Sequence, residues 1–159
     1  MTYSLLETIT TRNGLNLNIY YSKTVKETPA VIPLLQANIE VLQKKMSGGP
    51  NRLIFSNSDQ VLWAENKEDI ASVLCFRPYI SPDGTDDKIM LRLLSYTDPK
   101  LRGLGIRPLL QKYFEQICLE QDYDKIISFI HIDNKSSKSC ALKEGLVPVM
   151  EGFYKKISK

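Results

Sequence analysis

A chain of 159 residues, 43% hydrophobic and 25% charged, can bury the core of one ordinary domain and is too balanced for a disordered or fibrous protein. Its net charge of +3 and pI near 8.7 fall short of a strongly basic nucleic-acid binder, and the basic residues are scattered rather than blocked. No apolar run approaches the ~20 residues that span a bilayer, no secretory signal opens the chain, and Cys75, Cys118 and Cys140 are too widely spaced for a disulfide framework or metal knuckle. The expectation is a cytoplasmic domain with no nucleic-acid, membrane or metal partner.

Asn13-Gly14 separates two strand-like runs, 5–11 and 15–21, and is a strong short-range hairpin signal because both residues tolerate positive φ. Thr28, Pro29 and Pro33 open a helical stretch with Leu35, Ile39, Leu42 and Met46 on one face, and Ser47-Gly48-Gly49-Pro50 stops it. Residues 60–65 and 69–80 read as strands joined by a polar turn. After the turn chemistry of Ser81-Pro82-Asp83-Gly84, a third strand covers 88–97, so an antiparallel meander is expected. Ile106, Leu109, Leu110, Tyr113, Phe114, Ile117 and Cys118 then step along one helix face. A strand over 125–133, a short helix ending at Gly145 and a last strand over 147–157 complete a mixed α/β sheet with helices on its faces.

The junction from Thr97 to Pro108 carries the chemistry. A strand ends, Pro99 turns the chain, Gly103 and Gly105 permit close backbone approach, and Pro108 suits the first helical turn. Unpaired N–H groups and the helix dipole make such a junction an anion site, with Arg102 and Arg107 adding positive charge. A dinucleotide loop does not fit, because Pro108 stands at the third glycine and the loop follows a meander. No Walker phosphate loop occurs. A glycine turn with no ligand remains the plain alternative.

The stretch 97–110 resembles the acetyl-CoA signature of the GNAT superfamily of N-acetyltransferases, V-x-P-x-x-R-G-x-G-(I/L)-G-x-x-L. Pro99, Arg102, Gly103, Gly105, Ile106 and Leu110 match, while Thr97 replaces the usual Val and Arg107 the usual final Gly or Ala. Val61–Glu65 and Ile70-Ala71-Ser72 resemble the family's second and third strands. Asn134, Ser137 and Gly145 match its fifth strand and following helix. The resemblance implies one GNAT-like domain over 1–159, in which 1–14 adds an N-terminal strand. Its mostly antiparallel sheet should splay between the family's fourth and fifth strands, with helices on both faces. It implies that Arg102, Gly103, Leu104, Gly105, Ile106 and Arg107 hold the coenzyme A pyrophosphate, chiefly through backbone N–H groups. The pantetheine arm would follow the edge at Leu94, Tyr96 and Thr97, with Asn134 and Ser137 at the splay.

The family's usual proton-donating Tyr falls on Ala141, and its usual general-base Glu falls on Ile89. Substitutes are Asn134 beside the thioester, Ser139 or Cys140 as proton donors, and His131, the only histidine, as a base. Two have a packing alternative: His131 shares a strand face with Ile127 and Phe129, and Cys140 is of a residue type that is usually buried. Glu65 and Asp83, Asp86 and Asp87 border the acceptor side, where a solvated loop is the plain explanation. Tyr20, Tyr21, Trp63 and Tyr79 line that side or belong to the core.

The resemblance therefore implies an enzyme that transfers acetyl from acetyl-CoA, without metal, to a primary amine of a small molecule or peptide by direct attack in a ternary complex. The chain would act as a monomer or homodimer. The alternative is a non-catalytic GNAT-like module that binds coenzyme A or a protein.

Overall fold

The Asn-Gly pair does sit in a hairpin, between strand β1 (Tyr3–Thr10) and strand β2 (Asn16–Ser22). Gly14 alone of the pair takes positive φ, at 75°, and the turn is closed by Thr11 N to Leu15 O and Gly14 N to Thr11 O, both 2.9 Å. The connection is thus longer than a two-residue turn. The computed structural model describes residues 3–45, 54–67, 69–81, 84 and 86–149.

Helix α1 (Val31–Lys45) follows, then the expected meander of β3 (Gln60–Asn66), β4 (Asp69–Tyr79) and β5 (Ile89–Thr97). Helix α2 (Ile106–Glu120), strand β6 (Lys125–Ser128) and helix α3 (Lys135–Lys143) complete the described chain. The six strands lie in sequence order; every neighbouring pair is antiparallel except β5 and β6, which are parallel and joined through α2. Short turns suffice for antiparallel neighbours, whereas a parallel pair needs a crossover.

Side-chain alternation along the strands supplies two cores. Leu62, Ala64, Leu74, Phe76 and Met90 face α2, where they meet Ile106, Leu110, Phe114, Ile117 and Cys118. Val61, Trp63, Val73 and Cys75 face the other way and pack with Val31 and Leu35 of α1. Helices therefore cover both faces, as the sequence suggested. At the far end of α2 the Tyr21 hydroxyl donates to Gln60 Oε1 at 2.6 Å and accepts from Gln121 Nε2 at 2.9 Å, so buried polar groups there are paired. Strand β1 is mostly exposed and is tied to α2 by the Tyr113 hydroxyl, which donates to Glu7.

Two expectations change. Strand β6 ends at Ser128 rather than at residue 133, because β5 turns away from it and leaves the following residues no ladder to join. His131 accordingly lies in the β6–α3 loop and shares no strand face with Ile127 and Phe129. The last strand expected over 147–157 begins with residues 147–149, which have no regular structure, and the rest lies outside the described residues. Among the described residues no helix is long and apolar enough to cross a membrane.

Candidate functional site

The cleft begins with a register shift in β5. Phe76 pairs with Arg92 and Cys75 with Leu94, so Leu93 is an extra residue, a bulge that bends β5. Strand β6 pairs with β5 only from Ile89↔Lys125 to Arg92↔Ser128. Beyond Arg92 the two parallel strands diverge, and β5 over 93–97 has no β6 partner; Ser95 O accepts instead from Asn38 Nδ2 of α1 at 2.9 Å. This is the splay expected there, and its immediate cause is the bulge.

Leu94, Tyr96 and Thr97 lie on that segment. Leu94 and Tyr96 pack partly against the α1-side core. Burial, with Asp98 adding to it, pushes the Tyr96 phenol above its ordinary pKa, so the group is a neutral hydroxyl near pH 7. Thr97 is anchored to β4 through its hydroxyl, 2.9 Å from Ser72 Oγ, and Ser72 Oγ also donates to Tyr96 O at 2.7 Å.

The loop into α2 is built by local hydrogen bonds. Asp98 N donates to Ala71 O at 2.9 Å, and the Asp98 carboxylate accepts from Lys100 N at 2.8 Å, capping a short 3-10 turn over Pro99–Leu101. Gly103 and Gly105 both take φ of 79°, the left-handed region that favours glycine. A Cβ built at either meets nothing within 4 Å, so their surroundings are open and the backbone angle is the constraint. The first helical bond runs from Leu109 N to Gly105 O at 3.2 Å, and the N–H groups of Gly105, Ile106 and Arg107 have no backbone acceptor among the described residues. Gly105, the N-cap, supplies no side-chain cap. Leu104 packs against the α2-side core, and Arg102 is exposed with its Nε donating to Thr97 O at 3.2 Å. Open space, unpaired donors and a helix N-terminus together suit an anion such as a diphosphate.

Arg107 departs from its expected place. Its side chain turns inward, with Nε 3.3 Å from Glu144 Oε1, so its charge is shared with a carboxylate rather than offered to the open side of the loop. Glu144 Oε2 also accepts from Arg92 Nη1 at 2.5 Å, and the same Nη1 reaches Gln111 Oε1 at 2.9 Å. Sequence reasoning missed this cluster. Its one signal was Arg92 inside the otherwise apolar strand Ile-Met-Leu-Arg-Leu-Leu.

Helix α3 forms the second wall. Asn134 is its N-cap and accepts from Ser137 N at 3.0 Å, which gives the Asn–Ser spacing a structural reason. Ser139 is exposed, Cys140 half-buried and Ala141 buried. His131 is half-buried; its Nδ1 accepts from Asp133 N at 3.2 Å and lies 3.6 Å from the Asp133 carboxylate.

The acceptor-side residues divide. Tyr20 stacks on Trp63 with centroids 5.3 Å apart, and Trp63 Nε1 donates to Glu65 at 2.8 Å. Tyr21 belongs to the opposite, α2 face, where it stacks on Phe76. Tyr79 meets Phe129 edge to face at 5.9 Å. Asp87 pairs with Lys125, Asp86 is exposed, and Asp83 lies outside the described residues.

The cysteines offer a direct probe of this geometry. Burial pushes the Cys118 thiol up to about 12 and the Cys75 thiol well above its ordinary range, so neither forms thiolate near neutral pH. Native protein treated with a disulfide reagent at pH 8 is expected to label at Cys140 alone, read by peptide mass mapping. Prior labelling of Cys75 would contradict the packing.

No protein-family model matches the sequence, and no curated protein does. Solved structures do match. An aminoglycoside acetyltransferase, meta-AAC0020, from an uncultured soil metagenomic sample superposes with a TM-score of 0.66 at 13% identity, over 89% of this chain and 97% of that one. A ribosomal-protein-alanine N-acetyltransferase from Brucella melitensis biovar Abortus 2308 gives 0.65 at 12%, over 89% and 99%. The aminoglycoside N-acetyltransferase AAC(6')-Iy, solved in complex with CoA, gives 0.63 at 12%, over 88% and 99%. At such identities the likeness is one of fold. It agrees with the splayed sheet and two-sided helices described above.

Proposed function

We propose that this chain, which has the GNAT fold, is an N-acetyltransferase that moves an acetyl group from acetyl-CoA to a primary amine by direct attack within a ternary complex. The observation that carries the proposal is the pair of left-handed glycines opening α2 beside the segment of a bulged strand that β6 leaves unladdered. Backbone N–H groups of Arg102, Gly103, Leu104, Gly105, Ile106 and Arg107 would hold the pyrophosphate. The edge at Leu94, Tyr96 and Thr97 would take the pantetheine arm, with Asn134 and Ser137 at the mouth of the splay.

Acetyl-CoA supplies the activated acyl group; the chain supplies position and polarity. The bulge at Leu93 releases peptide groups from the β4 ladder, and an N–H there is the donor proposed for the acyl oxygen. Fixing two reactants in one cleft removes much of the entropic barrier, so a weak acid–base apparatus is tolerable. Ser139 and Cys140, on the helix that walls the cleft, are the proposed proton donors for the departing thiolate, directly or through water.

A second reading, a coenzyme A-binding module without catalysis, draws on Ala141 and Ile89, both buried and apolar where relatives of this fold carry their usual acid and base. Thiol release from acetyl-CoA separates the two. Panels of aminoglycosides, polyamines and peptides with free N-termini are the acceptors to try, since the similar structures include enzymes named for aminoglycoside and protein-alanine acetylation. Release above the hydrolytic background with at least one class is expected. Binding of coenzyme A with no release from any class would favour the module.

A further inference from the structure

Arg92, Glu144 and Arg107 form a largely buried triad, with side chains 4%, 8% and 20% exposed. The three residues come from three different elements around the cleft. Arg92 is the last β5 residue laddered to β6, immediately before the bulge. Arg107 is the second residue of α2 and owns one of the unpaired N–H groups of the anion loop. Glu144 is the C-cap residue of α3, fixed in place by its N–H to Cys140 O at 3.0 Å. Glu144 Oε2 accepts a hydrogen bond from Arg92 Nη1, and Oε1 forms an ion pair with Arg107 Nε, a buried nitrogen that makes no hydrogen bond among the described residues.

We propose that Glu144 is a positioning residue that clamps the α2 loop to the β5–α3 wall, so that the diphosphate site and the open strand edge are held at the separation one coenzyme A molecule requires. The inference rests on the coenzyme A reading of the site. Its physical ground is that a single carboxylate joined to two arginines in low dielectric has few alternative arrangements, whereas either wall alone is held mainly by apolar packing. The loop end of α2 lacks a side-chain cap. The Arg107–Glu144 pair therefore adds a charged tie between that turn and α3 to the bonds from Arg102 Nε to Thr97 O and from Arg92 Nη1 to Gln111 Oε1.

The clamp and a neutralising role predict opposite signs. Were Glu144 only cancelling charge, Glu144→Gln would free Arg107 for the ligand and tighten anion binding. As a clamp, it makes a linked ligand bind better than its parts, by keeping two subsites in register. Affinities of intact CoA and of its nucleotide half, 3′-phosphoadenosine 5′-diphosphate, are to be measured by calorimetry on wild type, Glu144→Gln and Arg107→Gln. The second variant leaves one arginine and one carboxylate paired, so it folds even if two unbalanced arginines do not.

Both variants are expected to weaken CoA by about tenfold, and Glu144→Gln to leave the nucleotide half within about twofold of wild type. General loosening of the fold would weaken both ligands together and would overturn the clamp, as would unchanged or tighter CoA binding. Failure of wild type to bind CoA at all would instead overturn the reading of the site itself.

Discussion

Gly103→Glu is expected to abolish coenzyme A binding while the protein stays folded. The φ of 79° at this position costs a side chain about 1–2 kcal/mol, which a domain of ordinary stability survives. A Cβ there meets nothing within 4 Å, so the new carboxylate enters the open side of the loop where the diphosphate would sit. Like charge in that position removes the favourable interaction rather than trimming it. Gly103→Asn is the control, because asparagine tolerates the left-handed region and adds no charge; it should retain most of the affinity. Calorimetric titration of the two variants gives the comparison. Equal binding by both would show that the ligand sits elsewhere.

The largest effect on stability is expected from Phe114→Ala. Phe114 is fully buried between α2 and the sheet, with its ring 4.5 Å from that of Phe76. Truncation removes the contacts and leaves a cavity that the sheet, fixed by its ladders, cannot close. The cost should be about 3–5 kcal/mol. At this chain length that lowers the thermal midpoint by about 10 °C. Phe114 lies about two turns along the helix from the loop, roughly 12 Å of rise. The increment in midpoint that CoA confers should therefore survive the substitution although the baseline falls. A loss of less than about 1 kcal/mol would contradict the packing described.

Much of this architecture is legible in residue order because its causes are local. The stripe from Ile106 to Cys118 announces α2 through its own periodicity, and the strand–glycine–helix junction announces an anion site through turn chemistry. The end of β6 was not legible. It depends on the bulge at Leu93, which exists only as a register between β4 and β5, and no feature of residues 129–133 reports it. The inward turn of Arg107 was hidden for a similar reason. Its partner Glu144 also binds Arg92, 52 residues away, and proximity of that kind is created by the fold. Asn134 illustrates a third case: the residue was marked for the cleft, yet its observed bond is a helix cap, a role any Asn-x-x-Ser start can play.

The most direct measurement is the thermal midpoint of the wild-type chain titrated with CoA and acetyl-CoA. A ligand that binds only the folded state stabilises it by about 2.7 kcal/mol at a hundredfold excess over its dissociation constant. A midpoint that climbs with concentration for both ligands, and does not climb in Gly103→Glu, is the result predicted. An unchanged wild-type midpoint at millimolar ligand would contradict it.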